Sequence, residues 1–428
     1  MSYEKLAAKQ LLKIKSLGEL KQVGYQTKSI KNELRDNLVR KIQQKEEVFQ
    51  GIWGYQDTVV PDLERAILAK HNICLLGLRG QAKTRLARHM VNLMDEYMPV
   101  ISGTELFEDP LAPITAEGQE LLDTHGDSTP IEWIHRDQRY TEKLATPDVS
   151  IADLIGDVDP IKAATLKLSY SDHRVIHYGL VPRAHRGIFV INELPDLQAR
   201  IQVALFNILQ EGDIQIRGFK LRLPLDIQFV FTANPEDYTN RGSIVTPLKD
   251  RIDSQIITHY PDSIDIGKQI TQQEARVNGK QRDVVVMNSI AEDLIEQVAI
   301  EARNSEYVDE KSGVSARLTI AAYEILWSAA ERRALRHQEK STSIRISDFV
   351  GVVPAITGKV ELVYEGEQEG AGLVAHTLIG KAIRQQFVNY FPNPEEFRKN
   401  KQANPFLSLI HNSEPTRHIC LSRMPSSA

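Results

Sequence analysis

The sequence has 428 residues, of which 42% are hydrophobic and 25% charged, and its formal net charge is −5. These values are typical of a globular protein with two or more domains, and the negative charge argues against a protein that binds polyanions over its whole surface. Two cysteines exclude a disulfide framework, and no secretory signal or membrane-spanning apolar stretch is recognised, so a cytoplasmic protein without membrane insertion is predicted.

Residues 1–50 carry leucine, isoleucine and valine at helical spacing among many lysines, as in "IKNELRDNLVRKIQQK". This pattern predicts one or two amphipathic helices. We interpret the segment as a solvated helical lead-in to the domain that follows.

From Gly51 onward, apolar strands alternate with helices. A parallel sheet covered on both faces is therefore expected, with polar residues converging at the carboxyl ends of its strands. The strand signals are "NICLLGLRG", "GIFVINEL", "IQFVFTANP" and "SQIITHY"; the helix signals are "PDLQARIQVALFNILQ" and "QAKTRLARHMVNLMDEYM", in which Leu86, Met90, Leu93 and Met94 share one face.

Three regions flank or interrupt this pattern. Residues 103–146 are rich in acids, proline and glycine without periodicity, which predicts a long surface insertion of no readable function. Residues 261–358 contain strongly helical stretches such as "ARLTIAAYEILWSAAERRAL" and predict a small helical domain. Residues 359–428 predict one more helix, "LVAHTLIGKAIRQQFVNYF", before a tail that we interpret as disordered or foreign.

The stretch "LLGLRGQAKTR" resembles the phosphate-binding pattern G-x-x-x-x-G-K-[ST], with Ala82 where glycine is usual. In such a loop Lys83 reaches the β- and γ-phosphates and the Thr84 hydroxyl ligates Mg²⁺. An alanine is tolerable there if its φ stays negative. The predicted nucleotide-binding residues are Gly77, Leu78, Arg79, Gly80, Gln81, Ala82, Lys83, Thr84 and Arg85.

The strand "GIFVINEL" ends in Asn192 and Glu193. In the aspartate-glutamate form of this strand end, the aspartate holds the Mg²⁺ shell and the glutamate orients the attacking water. Glu193 therefore remains available as the base, whereas the uncharged Asn192 is expected to hold Mg²⁺ more weakly through water.

Three further residues are candidates for the same site. Asn234 ends "IQFVFTAN" and could contact the attacking water or the γ-phosphate. Arg251 lies before the last strand and could reach a neighbouring subunit's nucleotide. From the residues alone, a salt bridge with Asp250 or Asp253 is the favoured interpretation. Arg317 opens a helix of the helical domain and could fold over the phosphates.

In order and spacing, these motifs resemble the AAA+ ATPases, specifically the branch of MoxR and the magnesium chelatase I subunit. The similarity covers roughly Gly51 to Val350. The stretches that mark the branch are an insert in the second helix, an extra β-hairpin and the arginine strand: "PDVSIADLIGDVDPIKA" with "VIHYGLVPRAHRGIFVINE", "EGDIQIRGFKLRLPLDIQFVFTANPED" and "VTPLKDRI".

The resemblance implies an α/β P-loop NTPase domain with a helix-2 insert and a β-hairpin before the sensor strand, followed by a helical lid. It also implies a homo-hexameric ring that binds ATP and Mg²⁺ between subunits and acts on a partner with a von Willebrand A domain. Carried over by position, Lys83 and Thr84 form the Walker A pair and Glu193 is the Walker B base. Asn234 becomes sensor one, Arg251 the arginine finger and Arg317 sensor two.

Two features allow other interpretations. The hairpin "DIQIRGFKLRLPL" places polar residues on one side, which could line a pore or only face solvent: Gln215, Arg217, Lys220 and Arg222. His173, His177 and His185 lack the tight spacing of a metal site.

Three functions are compatible with the sequence. The first is a Mg²⁺-dependent ATPase ring that remodels a partner, by metal insertion or chaperone-like maturation. The second, motivated by Asn192, is a nucleotide-gated scaffold with little hydrolysis. The third, motivated by the basic hairpin, is a nucleic-acid translocase or transcriptional activator, although the G-A-F-T-G-A loop of such activators is not found.

Overall fold

A computed structural model describes residues 7–169, 172–216, 222–234 and 244–392. The chain divides into two compact units. The first is built from the residues up to Gln273 together with Lys311–Ala316, and the second from Glu274–Glu310 and the residues from Arg317 onward.

The first unit contains a five-stranded parallel sheet. Its strands in chain order are β1 (Ile73–Leu76), β2 (Tyr140–Leu144), β3 (Gly187–Asn192), β4 (Ile227–Ala233) and β5 (Ser254–Ile257). Their order in the sheet is β5-β1-β4-β3-β2, with every neighbouring pair parallel. Because parallel strands end at the same edge, the residues that follow β1, β3 and β4 lie together there.

Both faces of this sheet are buried. Phe189 and Phe231 pack in one hydrophobic cluster with the helix Ala199–Glu211. The alternate residues Val190 and Val230 belong to a second cluster on the opposite face. Successive side chains of a strand point to opposite faces, which explains why β3 and β4 are continuous apolar runs and were predicted as buried strands.

The helix Ile30–Gln43 packs its apolar face into this second cluster. Its residues Ile30, Leu34 and Leu38 are at most 1% exposed. The prediction of a solvated lead-in is therefore wrong for this helix, because the apolar positions among its lysines form a core face.

Residues 103–146 are also more ordered than the sequence indicated. They contain the helix Ala116–His125, the strand Ile131–His135, which pairs antiparallel with Tyr97–Ile101, and β2. The prediction of an irregular surface insertion is wrong because β2 is one of the two edge strands of the central sheet.

The first unit contains two short hairpins, of which only the one before β4 was predicted as a hairpin. The strands Gly156–Val158 and Ile176–Tyr178 pair antiparallel within the helix-2 insert. The strands Asp213–Gln215 and Arg222–Pro224 form the hairpin before β4. Arg217 and Lys220 lie outside the described residues, so the predicted basic face is described only at its exposed ends, Gln215 and Arg222.

The remaining helical turns and helices of the first unit are mostly short. They are Ala8–Leu11, Leu17–Gln22, Val59–Leu68, Lys83–His89, Met90–Leu93, Gly126–Ser128, Arg136–Arg139, Ile151–Leu154, Pro160–Leu166, His173–Val175, Leu180–Arg183, Leu194–Asp196, Thr246–Lys249 and Ile264–Glu274, the last residue of which belongs to the second unit.

The second unit is helical, as predicted. Its long helices are Ser289–Arg303, Arg317–His337 and Ala371–Tyr390. The shorter elements are Gly279–Val284, Ile346–Val352, Val353–Thr357, Tyr364–Glu369 and the paired strands Val285–Val286 and Thr342–Ser343. The predicted disordered or foreign tail lies outside the described residues. Over the described part of the chain, no helix is both long and apolar enough to span a bilayer.

Candidate functional site

A glycine-rich loop connects β1 to the helix Lys83–His89. A side chain at Gly77 would collide with the hydroxyl of Thr258, and one at Gly80 would collide with Ser315. Gly80 also has a φ of +74°, a conformation that disfavours any other residue. Gly77 and Gly80 are therefore both required by the geometry of the loop.

An alanine at position 82 was predicted to be tolerable if its φ is negative. In the structure this condition is not met. Ala82 immediately precedes the helix with φ +56° and ψ +16°, in the left-handed region. A Cβ in that region approaches the following carbonyl and costs energy. The expectation of an unstrained alanine is wrong, and the loop adopts the backbone that glycine usually provides despite the substitution.

Three side chains from elsewhere in the first unit hold the loop. Tyr55 donates a hydrogen bond to the carbonyl of Gln81 at 2.9 Å. Thr258 donates to Oε1 of Gln81 at 2.8 Å, and Tyr260 donates to the carbonyl of Arg79 at 2.9 Å. These bonds fix the loop from outside and explain how the strained Ala82 persists.

Lys83 is buried beneath the loop. Its ammonium donates to the carbonyls of Gly77 and Leu78, and to Oδ1 of Asn234 at 2.7 Å. A lysine ammonium has three donors and no acceptor, so these three oxygens satisfy it without an anion. The structure thus brings the lysine of the loop to the residue at the end of β4.

Thr84 meets the end of β3. Its hydroxyl donates to Oδ1 of Asn192 at 3.2 Å, and the same oxygen accepts from Thr232 on β4 at 3.2 Å. The backbone of the next residue, Glu193, donates to the Thr232 hydroxyl at 3.1 Å and has φ +55°. Four of the predicted residues are therefore hydrogen-bonded in two pairs, Lys83 with Asn234 and Thr84 with Asn192.

Sequence reasoning missed one residue at this point, Glu142 on β2. Its Oε1 accepts a hydrogen bond from Nδ2 of Asn192 at 2.7 Å. It also forms a bidentate ion pair with Arg88, at 2.9 and 3.1 Å, and accepts from Tyr140. Partial burial would raise the pKa of Glu142, but the bonds from Arg88 and Tyr140 hold it below its usual value, so the group is a carboxylate at neutral pH.

The oxygen atoms gathered here fit Mg²⁺. The Thr84 hydroxyl and the Asn192 amide oxygen are hard donors that this ion prefers, and the Glu142 carboxylate lies behind them, bonded to the amide nitrogen of Asn192. Within the described residues no group of three His, Cys, Asp or Glu could hold a metal ion by itself. Mg²⁺ characteristically combines one or two protein ligands with waters and substrate phosphates, so the donor set suits an ion shared with a nucleotide.

A pocket opens beside the phosphate-binding loop within the first unit. It is bounded by Gly80, Gln81, Ala82 and Arg85 of the loop region and by a largely apolar wall of Gly51, Ile52, Trp53, Tyr55, His259, Pro261, Ile270, Gln273 and Ala316. The indole of Trp53 donates to Gln273 at 2.7 Å. A mostly apolar cleft with a few polar groups is the usual form of a small-molecule site.

The two predicted arginines are not joined to this network by any described hydrogen bond. Arg251 donates to Oε1 of Gln210 and to the carbonyl of Pro247, and its guanidinium lies 5.2 Å from the ring centre of Phe206. In the described part of the chain it forms no ion pair with either predicted aspartate partner. Arg317 begins the long helix Arg317–His337 of the second unit, and its role stays a prediction.

The histidines do not form a cluster. His185 is buried, and its Nδ1 accepts from the backbone of Asp226 at 3.1 Å. Burial and the nearby Arg186 lower the pKa of His185 to about 3. His177 is exposed on the strand Ile176–Tyr178, and the side chain of His173 lies outside the described atoms.

Residues 165–256 match the family model described as Sigma-54 interaction domain. The matched span includes β3, β4 and most of β5 but less than half of the chain. This family is one of the AAA+ ATPases. Together with the parallel sheet and its loop, the match identifies the fold as an AAA+ P-loop NTPase fold, and MoxR membership remains a prediction.

Several solved structures resemble parts of the chain. One is a proposed ATPase from Cytophaga hutchinsonii, with 17% identity over 82% of this chain and 96% of that chain and a TM-score of 0.33. NtrX from Brucella abortus in complex with ADP has 12% identity over 90% and 70%, with a TM-score of 0.42.

The BchI and BchD complex of magnesium chelatase has 17% identity over 75% of this chain and 98% of that chain, with a TM-score of 0.36. At these TM-scores we infer no function from the three structures.

Proposed function

Starting from the AAA+ fold, we propose that the chain is a Mg²⁺-dependent ATPase that works as a homo-oligomeric ring, a hexamer in the simplest form, and remodels a partner protein. The observation that carries the ATPase is the hydrogen-bonded set of Lys83 with Asn234 and Thr84 with Asn192. It joins the phosphate-binding loop to the two strand ends that hold the predicted catalytic groups.

The phosphates would lie against the backbone amides of the loop from Gly77 to Thr84, where Lys83 exchanges loop carbonyls for phosphate oxygens. The adenine base of the nucleotide would bind in the pocket whose wall includes Trp53 and Tyr55. Because Lys83 already has three oxygen partners, we expect nucleotide binding to reorganise the loop locally.

Hydrolysis would be carried out by groups at the ends of β3 and β4. Glu193 orients the attacking water and accepts its proton, and Asn234 contacts the water or the γ-phosphate. Mg²⁺, when bound with the nucleotide, neutralises developing charge on the phosphates. Thr84, and Asn192 and Glu193 through water, would hold it, and Arg251 of a neighbouring subunit and Arg317 would complete the site.

The first test is nucleotide binding by the Lys83→Ala variant. Trp53 lies in the wall of the pocket and is 39% exposed, so its fluorescence should change when ATP binds. We expect Lys83→Ala to abolish this change, whereas Lys13→Ala, which removes an exposed lysine of the same unit, should bind like the wild type. Undiminished ATP affinity in Lys83→Ala would show that the site is misassigned.

The second test separates an ATPase from a nucleotide-gated scaffold. Removing a catalytic base typically costs about 10²–10⁴-fold in rate, so Glu193→Gln should bind ATP normally and lose turnover by that order. ATP turnover that is already negligible in the wild type and insensitive to Glu193→Gln would support the scaffold instead.

The partner is the finer part of the proposal. The resemblance to MoxR and magnesium chelatase favours a cytoplasmic partner with a von Willebrand A domain, matured by metal insertion or by chaperone-like remodelling. Capture of clients by the Glu193→Gln variant in the presence of ATP, followed by their identification, tests this directly. Recovery of only nucleic acid would contradict it.

The match to the Sigma-54 interaction domain over residues 165–256 favours a second candidate, a ring that acts on sigma-54. The sequence lacks the G-A-F-T-G-A loop of the enhancer-type activators, which is why the partner-remodelling ATPase is preferred. Stimulation of ATP turnover by purified sigma-54 would reverse that preference.

A further inference from the structure

We propose that Glu142 supplies the negative charge that position 192 lacks, so that the acidic group of the Mg²⁺ shell comes from β2 and not from the end of β3. This inference rests on the proposed function, since it concerns the ion that accompanies the nucleotide. It is carried by one juxtaposition, the Glu142 carboxylate bonded to the Asn192 amide that in turn bonds Thr84.

The two ends of the Asn192 amide have different partners. Its oxygen accepts from Thr84 and Thr232, and its nitrogen donates to Glu142 at 2.7 Å. An aspartate at 192 would have no donor for Glu142 and would place two carboxylates in contact. Like charges so close cannot both remain ionised without a large cost. Asn192 and Glu142 are therefore complementary, because the amide supplies the donor and the carboxylate supplies the acceptor.

The position of Glu142 follows from the sheet. Residue 142 of β2 pairs with Val190 of β3, two residues before Asn192. The side chain of Glu142 is 22% exposed, so it is neither fully solvated nor fully buried. Carboxylates that hydrogen-bond a metal ligand orient that ligand and tune the properties of the metal, and their removal typically lowers the affinity for the metal.

An ordinary ion pair is the competing explanation. Glu142 also binds Arg88, which ties β2 to the helix Lys83–His89. A purely structural pair would affect stability and would leave the Mg²⁺ dependence of nucleotide binding unchanged. The test must therefore measure the Mg²⁺ dependence of ATP binding and not the stability of the fold.

The experiment measures the Mg²⁺ concentration that gives half of the tightening of ATP binding, followed by Trp53 fluorescence in the full-length protein. Outer ligands of metal sites typically contribute about 10–100-fold in metal affinity, and we expect Glu142→Gln to raise this concentration by that order. Glutamine keeps an oxygen that can accept from Asn192. Glu132→Gln, at an exposed glutamate of the strand Ile131–His135 in a separate two-stranded sheet, is the matched control and should have no effect.

The decisive variant restores the charge at the other position. Asn192→Asp in the Glu142→Gln background should recover the wild-type Mg²⁺ dependence, because one carboxylate and one amide are again paired. Asn192→Asp alone should bring no comparable gain, since two carboxylates then compete. An unchanged Mg²⁺ dependence in Glu142→Gln, or no recovery in the double variant, would overturn the proposal.

Binding of ATP in the presence of a chelator separates the two levels of inference. If all these variants still bind ATP without Mg²⁺ and Lys83→Ala does not, the nucleotide site stands and the outcome judges Glu142 alone. If the wild type binds no ATP under either condition, the proposed function fails together with this inference.

Discussion

Ala82 has a left-handed backbone, φ +56°, at the residue where the phosphate-binding motif usually has glycine. Relieving this conformation is worth about 1–2 kcal/mol, while glycine favours the unfolded chain by about 0.4–1 kcal/mol. We therefore expect Ala82→Gly to raise the free energy of unfolding by roughly 0.5–1 kcal/mol, the difference between the two. Thermal unfolding followed by circular dichroism measures it.

Ala87 provides a control of opposite sign on the same helix. It lies in the helix interior and is fully buried, so Ala87→Gly should destabilise the protein by at least about 1 kcal/mol. If Ala82→Gly also lowered the melting temperature, the cost of the left-handed alanine would be refuted.

Residue-level prediction from the sequence succeeded where a motif is continuous or ends a strand. Lys83, Thr84, Asn192 and Asn234 were chosen from such motifs, and Lys83 is found hydrogen-bonded to Asn234 and Thr84 to Asn192. Glu142 was missed because its contact with Asn192 spans 50 residues and depends on strand pairing. The φ of Ala82 was missed because the sequence specifies residue type and not the loop geometry imposed by Tyr55 and Thr258.

The helix Ile30–Gln43 is joined to the edge of the sheet by a buried ion pair. Arg139 precedes β2, is 1% exposed and binds Glu33 bidentately at 2.8 and 2.6 Å. Removing one partner of a buried pair leaves an uncompensated charge and costs about 3–5 kcal/mol. We expect Glu33→Gln to lower stability by that order, as measured by thermal or denaturant unfolding.

Asp36 of the same helix is the matched control for Glu33→Gln. It pairs with Lys28 at 2.9 Å, and both side chains are at least 40% exposed. Exposed pairs contribute about 0–1 kcal/mol, so Asp36→Asn should be nearly silent. Equal effects of the two variants would mean that the helix is not anchored through Arg139.

The inner strands, which are buried on both faces, could be predicted, and so could the edge strand β5, whereas the other edge strand, β2, could not. β1, β3 and β4 are apolar runs because neighbours cover both sides. β2 reads Y-T-E-K-L, has its polar residues in the middle and has no fully buried residue, so it lacks the continuous apolar pattern of the inner strands. Its role in the sheet is a consequence of tertiary pairing with β3, which composition does not reveal.

At the scale of the whole molecule, the chain order of a sheet domain followed by helices was predictable from the change of periodicity. The boundary between the two units was less predictable from the sequence. Lys311–Ala316 belongs to the first unit, although residues of the second unit flank it on both sides. Such a return depends on tertiary contacts. The proposed assembly into a ring can be tested through the proposed role of Arg251.

If Arg251 acts on a neighbouring subunit's nucleotide, each site combines Glu193 of one subunit with Arg251 of the next. Arg251→Ala and Glu193→Gln rings should then each bind ATP and be inactive. In randomly mixed rings, about a quarter of the interfaces combine an intact Glu193 with an intact Arg251, so mixing should restore turnover toward about a quarter of the wild-type rate.

The alternative is that Arg251 serves only its own chain, where it already binds Gln210 and Pro247. Every subunit of the mixture would then carry a defect of its own. Mixing would restore nothing beyond the average of the two inactive proteins, and the finger assignment would be wrong even if the nucleotide site is right. Because both variants keep Lys83 and Trp53, fluorescence measured in the same samples verifies that every subunit still binds ATP.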